Sequence, residues 1–134
     1  MEGVISSMEG EMLKTIVRGL AKPLILWFLL KRTMHGYEIV NQLTEMTGHK
    51  FSPGTVYPIL YQLEEVGLIS GKWEQKSKRR RIKLYKITEK GLNVLKHFKE
   101  VFNKCFDLLF KDVTDLSQNI YQKMAKGKSE DSEL

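Results

Sequence analysis

FSPGTVYPILYQLEEVGLI, residues 51–69, has the apolar spacing of a helix, with Leu60, Leu63 and Val66 at intervals of three. Yet it carries two prolines and a glycine in its first turns. Those are the poorest helix formers, and a helix serving only the core would open with alanine, leucine or glutamate. Ser52 is a good N-cap, and Pro53 falls at the first helical position, where its missing N–H costs nothing. The pattern predicts a helix over 52–65, ended by Gly67 and followed by the extended pair Leu68-Ile69. Pro58 lies one turn deeper, where it loses a helix hydrogen bond and tightens or kinks the turn. The front of this helix is shaped for close approach, at some cost in helix stability.

Working outward, the segments on either side have assignable periods. Residues 8–19 predict a helix with Met8, Met12, Leu13 and Ile16 along one face, weakened at Gly19. A second helix is expected from about 22 to 31, with Pro23 near its start. Thr33-Met34-His35-Gly36 reads as a turn and cap. A helix over 36–46 then places Tyr37, Ile39, Val40, Leu43 and Met46 at helical spacing toward the core and stops at Gly48. Past residue 67, Leu68–Gln75 and Ile82–Thr88 read as strands joined by a polar turn at 76–80. Ile69 and Trp73 face inward; Leu84 and Tyr85, adjacent and both bulky, leave the second strand's inner face open. Thr88 caps a long helix, with Glu89 in its first turn, that runs to about Asp112. A weaker amphipathic segment (Leu116, Ile120, Met124) follows, and residues 127–134 read as a disordered tail. No internal repeat is present.

Composition sets the bounds. A chain of 134 residues, 42% hydrophobic and 28% charged, fits one soluble globular domain rather than two independent ones. The single cysteine, Cys105, excludes an internal disulfide framework and fits a reducing, cytoplasmic setting. The longest apolar run, Pro23 to Leu30, is far shorter than the roughly 18–20 residues a membrane span needs. The net charge is +6, and its location is more telling than its size. Residues 71–90 hold nine basic and two acidic residues, a net +7, so the rest of the chain carries −1. A block of this kind is an electrostatic footprint for a polyanion.

Helix, helix, helix, basic two-stranded hairpin, helix is the order of a winged helix-turn-helix. The fold class expected is mainly α with a small β-hairpin (α+β). In that architecture the third helix enters the DNA major groove and the hairpin, or wing, lies along the backbone. The unusual front of the 52–65 helix then has a purpose. Small residues at Ser52, Gly54 and Thr55 let the free N–H groups approach a phosphate, which the helix dipole favours.

At these residues the sequence closely resembles the PadR family of bacterial and archaeal transcriptional regulators. The motifs that carry the likeness are Met34-His35-Gly36-Tyr37-Glu38-Ile39, Ser52-Pro53-Gly54-Thr55-Val56-Tyr57-Pro58-Ile59-Leu60 and Leu63-Glu64-Glu65-Val66-Gly67-Leu68-Ile69. Lys86-Ile87-Thr88-Glu89-Lys90-Gly91 resembles the family's exit from the wing into its C-terminal helix. The likeness covers roughly residues 20–112. It implies a dimeric DNA-binding repressor whose C-terminal helix dimerises, often relieved by a small molecule, and of the shorter subfamily with one C-terminal helical element. The first 18 residues and the arginine-rich wing tip depart from the pattern. The organisation expected is an N-terminal extension (1–19), a winged helix-turn-helix domain (20–88), a dimerisation helix (89–126) and the tail.

The candidate DNA contacts are His35, Tyr37, Ser52, Gly54, Thr55, Tyr57 and Tyr61 on the helices, and Lys76, Lys78, Arg79, Arg80 and Arg81 on the wing. Each has a plainer alternative. A charge run is commonly a solvated loop; Ser52 and Thr55 can be simple capping residues; Tyr37 and Tyr57 can have rings in the core; His35 caps or packs rather than binding metal. Three consecutive arginines suit phosphates or a narrow minor groove and report groove width more than base identity. The candidate dimer seam is Leu95, Phe98, Phe102, Cys105, Phe106, Leu109 and Phe110. These combine a four-residue phenylalanine repeat with the 3–4 alternation of a coiled-coil seam. A Phe-lined interface also suits a flat aromatic effector, although phenylalanines so spaced are more often plain core. Catalysis is not expected. His35, His49, His97 and Cys105 show no metal-ligand spacing, no nucleophile or phosphate-cradling motif appears, and no cofactor is implied. The competing class is a winged-helix adaptor that binds protein or RNA without choosing an operator.

Overall fold

A computed structural model of the chain describes residues 2–132, with side-chain surroundings over 7–128. Among them α1 (Glu2–Lys31), β1 (Met34–His35), α2 (Gly36–Thr47), α3 (Pro53–Glu65), β2 (Ile69–Ser77), β3 (Arg80–Ile87) and α4 (Glu89–Ser132) follow in order. The fold is mostly helical with a small antiparallel sheet ordered β1-β3-β2, a winged helix-turn-helix with a long C-terminal helix.

The first difference from the sequence reading is that α1 is one helix, not two. Proline deletes the hydrogen bond to the carbonyl four residues back and crowds it. For Pro23 that carbonyl belongs to Gly19, in the most adaptable part of the helix. Burial on the same helix offsets the loss: Ala21, Ile25, Leu26, Phe28 and Leu29 are all buried, each large side chain stabilising by about 1.5–3 kcal/mol. Met8, Met12, Leu13 and Ile16, further up α1, are exposed.

His35 caps α2. Its Nδ1 accepts from the Glu38 N–H at 3.3 Å, and the Glu38 carboxylate reaches back to the His35 N–H. Gly48 closes the helix in the left-handed region, φ 69°. The buried stripe is Gly36, Ile39, Val40 and Leu43. Tyr37 and Met46, expected in the core, are exposed. Ile39, Val40 and Leu43 are buried as expected, but the stripe begins at Gly36, because Gly36 and not Tyr37 meets the neighbouring helix at Tyr57. Met34 and His35 pair with Tyr85 and Leu84, a two-residue strand too short for any period to reveal.

In α3 the buried residues are Val56, Leu60 and Leu63. The helix ends as a Schellman motif: Leu68 N–H bonds the Leu63 carbonyl at 2.9 Å and Gly67 N–H the Glu64 carbonyl at 3.0 Å. Gly67 supplies the positive φ, 79°, that this closure requires. Beyond it the wing strands pair Ile69↔Ile87, Gly71↔Tyr85 and Trp73↔Lys83, with a bulge between Gln75 and Ser77. The turn is Lys78-Arg79 alone, so both strands run further into the basic segment than expected. The register settles the ambiguous strand: Tyr85, not Leu84, is buried. Trp73 shares a face with buried Ile69, but the wing has by then projected past the core, and the indole is 55% exposed.

Thr88 caps α4, its hydroxyl accepting from the Gly91 N–H at 3.1 Å and donating to the Gly67 carbonyl at 2.6 Å. Leu95 packs against the core cluster. The helix then continues to Ser132, without the expected break near Asp112 or the irregular tail from Gly127; residues 133 and 134 lie outside those described. No proline follows Pro58, and a lone Gly127 costs a helix only about 1 kcal/mol relative to alanine. Two compact units result, residues 1–96 and 97–134. The division falls after Lys96, so the first turns of α4, with Leu95 against the core cluster, belong to the first unit.

Candidate nucleic-acid interface

The exposed face of α3 carries Ser52, Gly54, Thr55, Tyr57 and Tyr61, while its buried face holds the helix to the core. Ser52 adopts the extended N-cap conformation, and its Oγ accepts from the Thr55 N–H at 3.3 Å. The two hydroxyls also lie 3.0 Å apart. Over Gly54 the space is open, with only Ser52 Oγ within 4 Å of where a Cβ would stand. Arg18, His49 and Lys50 line a small hollow with Ser52 and Thr55. Two cations thus join the positive end of the α3 dipole, a combination suited to a phosphate. Arg18 escapes sequence reasoning because it lies 34 residues from Ser52 and belongs to no charge run.

A larger open groove of about 830 Å³ runs between the helices and the wing. From the helices it is lined by His35, Gly36, Tyr37, Tyr57, Tyr61 and Glu64; from the wing by Trp73, Lys76, Arg80, Arg81, Ile82, Lys83 and Tyr85. The structure therefore gathers seven of the twelve sequence-derived candidates into one concavity. Ser52 and Thr55 line the hollow just described, and Lys78 and Arg79 form the wing tip. Tyr57 is fixed by a close approach: a Cβ on Gly36 would come within 2.7 Å of its ring. Packing thus turns that ring outward across α2's first residue instead of into the core.

Electrostatics inside the groove is graded. Lys76, Lys78, Arg79, Arg80 and Arg81 are exposed. The Arg81 guanidinium lies 5.0 Å from the Trp73 ring centroid, in cation–π range. Lys83 is ion-paired to Glu64 at 2.7 Å. The hydrogen bond that Lys83 donates to Glu64 raises the Lys83 pKa above its ordinary value, against the opposing pull of burial. Burial raises the Tyr85 phenol. At the rim, Glu38 bonds Arg32 at 2.7 Å and His35 Nε2 at 3.1 Å. Burial pushes the Glu38 carboxyl up, but the Arg32 and His35 hydrogen bonds and charges outweigh it and hold the pKa below the ordinary value. Trp73, Glu64 and Lys83 were not among the sequence-derived site residues. Nothing in spacing shows that a helix carboxylate and a strand lysine 19 positions apart will meet.

The candidate seam residues divide. Leu95 sits against the winged domain's core. Phe98, Phe102, Phe106 and Phe110 form a ladder with ring centroids 4.3, 5.2 and 5.7 Å apart. Cys105, Leu109 and Phe110 are exposed, and the exposed apolar residues continue through Val113, Leu116, Ile120 and Met124. Among the described residues no His, Cys, Asp or Glu group could hold a metal ion, and no helix is long and apolar enough to cross a membrane.

The family model described as "Transcriptional regulator PadR-like family" matches residues 25–97. No curated protein matches the chain. Among solved structures, a PadR family transcriptional regulator from Eggerthella lenta DSM 2243 is 26% identical. Its match covers 81% of this chain and 94% of its own, with a TM-score of 0.71. A PadR-like transcriptional regulator from Bacillus cereus is 27% identical over 71% of this chain and 92% of its own, with a TM-score of 0.64. Bacillus subtilis PadR, solved in complex with operator DNA, is 21% identical over 84% of this chain and 70% of its own. Its TM-score of 0.54 supports the fold.

Proposed function

Since the chain belongs to the PadR-like family of transcriptional regulators, we propose that it binds a palindromic double-stranded operator as a homodimer and represses transcription from it. The front of α3 reads the major groove, and the wing follows the adjacent backbone. One observation carries this reading. Tyr57 and Tyr61 of α3 line one groove with the uncompensated wing cations Lys76, Arg80 and Arg81, while Val56, Leu60 and Leu63 on the helix's other face are buried. Phosphate contacts from Lys76 to Arg81 position the protein, and Thr55, Tyr57 and Tyr61 stand where side chains reach base edges.

The dimer rests on the α4 ladder. A row of four phenylalanines, Phe98, Phe102 and Phe106 half-buried and Phe110 exposed, extended by exposed leucine, valine and isoleucine at 3–4 spacing, is the surface of half an interface. A second copy laid antiparallel gives a C2 dimer that spaces two recognition helices. The same ring stack offers a flat aromatic effector a place to intercalate and so relieve repression.

Selection of bound sequences from random duplex DNA tests the reading. The expected product is a palindrome with half-sites about 10 base pairs, one helical turn, apart, bound with a steep dependence on salt. Enrichment of no sequence, or binding insensitive to salt, points instead to an adaptor role.

A further inference from the structure

Among the described residues, Lys83 is the one wing cation with a carboxylate within ion-pair distance. It lies on β3 opposite Trp73, and its Nζ donates to Glu64 Oε2, on α3, at 2.7 Å. The same nitrogen stands 5.6 Å from the Trp73 ring centroid and 5.4 Å from that of Tyr85. Its stem crosses Gly71, where a Cβ would collide with Lys83 Cε and come within 3.1 Å of the Tyr85 ring. Only a glycine at that point of β2 leaves the channel open. An aromatic on each side, a glycine beneath and a carboxylate at the end hold the lysine in one path.

We propose that the Lys83–Glu64 pair is a strut that fixes the wing against the recognition helix, so that both meet one DNA duplex as a preset unit, and that neither residue touches DNA. The proposal rests on the DNA-binding reading above. Two observations separate these residues from their neighbours. Lys83 and Glu64 are 25% and 30% exposed at the side chain, whereas Lys76, Lys78, Arg79, Arg80 and Arg81 are exposed and, among the described residues, have no carboxylate within ion-pair distance. Glu64 also stands in a groove lined by Lys76, Arg80 and Arg81. A free carboxylate there would repel phosphate, so its placement makes sense when the charge is engaged in holding Lys83. The wing is a two-stranded hairpin projecting past the core, and such a ribbon is marginal by itself. Ordering it before DNA arrives lowers the conformational cost of binding.

The sign of one substitution separates the strut from simple charge. If Glu64 acts only as a negative charge near DNA, Glu64→Gln tightens binding; if it holds the wing, the same change weakens binding. We expect Glu64→Gln to weaken affinity for the selected operator by roughly 3- to 10-fold, and Lys83→Met similarly, with the double variant no worse than either alone. The salt dependence of Lys83→Met should match that of the wild type, while Arg80→Ala, leaving one phosphate without its cation, lowers the log–log slope by about 0.9. Methionine keeps much of the stem over Gly71, and glutamine is nearly isosteric, so thermal melts will show both variants folded; if one is not, the other decides. Tighter binding by Glu64→Gln, additive losses in the double variant, or a slope lowered by about 0.9 in Lys83→Met would each overturn the strut while leaving DNA binding intact. A wild-type chain that binds no selected duplex removes the DNA reading itself, and the strut with it.

Discussion

Between residues 21 and 85, fifteen apolar side chains are buried to 5% exposure or less. From residue 97 onward the described part of α4 buries none, and Phe110, Leu116 and Tyr121 are more than half exposed. Helix caps show the same division. In the winged domain α2, α3 and the start of α4 are each closed by a side-chain hydrogen bond to a free N–H. Past Leu95 the helix is held by its own backbone, with Phe rings stacked along one side. One region finishes its folding problem within the chain; the other displays an apolar stripe that the described residues leave uncovered. An isolated helix in water draws little stability from propensity alone and depends on packing of its apolar face. The dimer proposed above supplies that packing.

The largest effect should come from breaking the seam. With Phe102 and Phe106 both changed to aspartate, four carboxylates would face one another across the C2 axis, and the dimer should split. Sedimentation would then show a monomer, and operator affinity should drop by roughly 10²- to 10⁴-fold as two linked half-site contacts become one. The thermal transition of the winged domain should stay in place, because neither residue belongs to its core. A variant that remains dimeric, or a wild type already monomeric at micromolar concentration, breaks the contrast.

Next in size is the core itself. Leu60 is fully buried, so Leu60→Ala should cost about 2–5 kcal/mol in urea unfolding. The matched change on the rod, Leu116→Ala, made in the aspartate-split monomer, should fall within about 0.5 kcal/mol of its parent. Equal costs at the two positions would mean that the rod has a core of its own.

A smaller effect, confined to binding, is expected from the wing. Replacing Arg79, Arg80 and Arg81 by alanine should weaken operator and random duplex by similar factors, with the salt slope falling by about 0.9 for each phosphate no longer neutralised. Oligomeric state and melting temperature should not move, since all three side chains are exposed. An unchanged slope would place the cluster away from DNA.

How much of this was legible follows from where the information lies. The recognition helix was readable because its signals are local: Ser52, Pro53 and Gly67 act within a turn of their own positions. The wing's charge was readable as a run. The burial of Tyr37, Met46 and Trp73 was misread because each is apolar and at a plausible period. Which residue faces the core was decided by close packing at Gly36 and by how far the hairpin outruns the domain, neither of which is written in a window of neighbours. The unbroken α1 was missed for a related reason. Pro23 carries a strong local stop signal, but the tertiary burial of Ile25, Phe28 and Leu29 overrides it. The Lys83–Glu64 pair depends on strand register, which only the folded sheet fixes.

The ion pairs extend the comparison to pH. All three found among the described residues lie between residues 32 and 83, two of them at Glu38. Burial alone would raise the Glu38 carboxyl, but Arg32 and His35 hold it below its ordinary value of 4.5. A carboxyl depressed on folding contributes stability that is fully present above the unfolded value and is lost as pH falls through the folded one. Glu38→Gln should therefore lower the melting temperature of the winged domain slightly at neutral pH. Below about pH 4.5 the difference from wild type should shrink, vanishing once the carboxyl is protonated in both states. The effect is small because the group is 30% exposed and its Arg32 partner 54%, and solvent screens such pairs. A difference that persists undiminished into acid would assign the loss to the capping geometry at His35, which glutamine disturbs at any pH, and not to the charge.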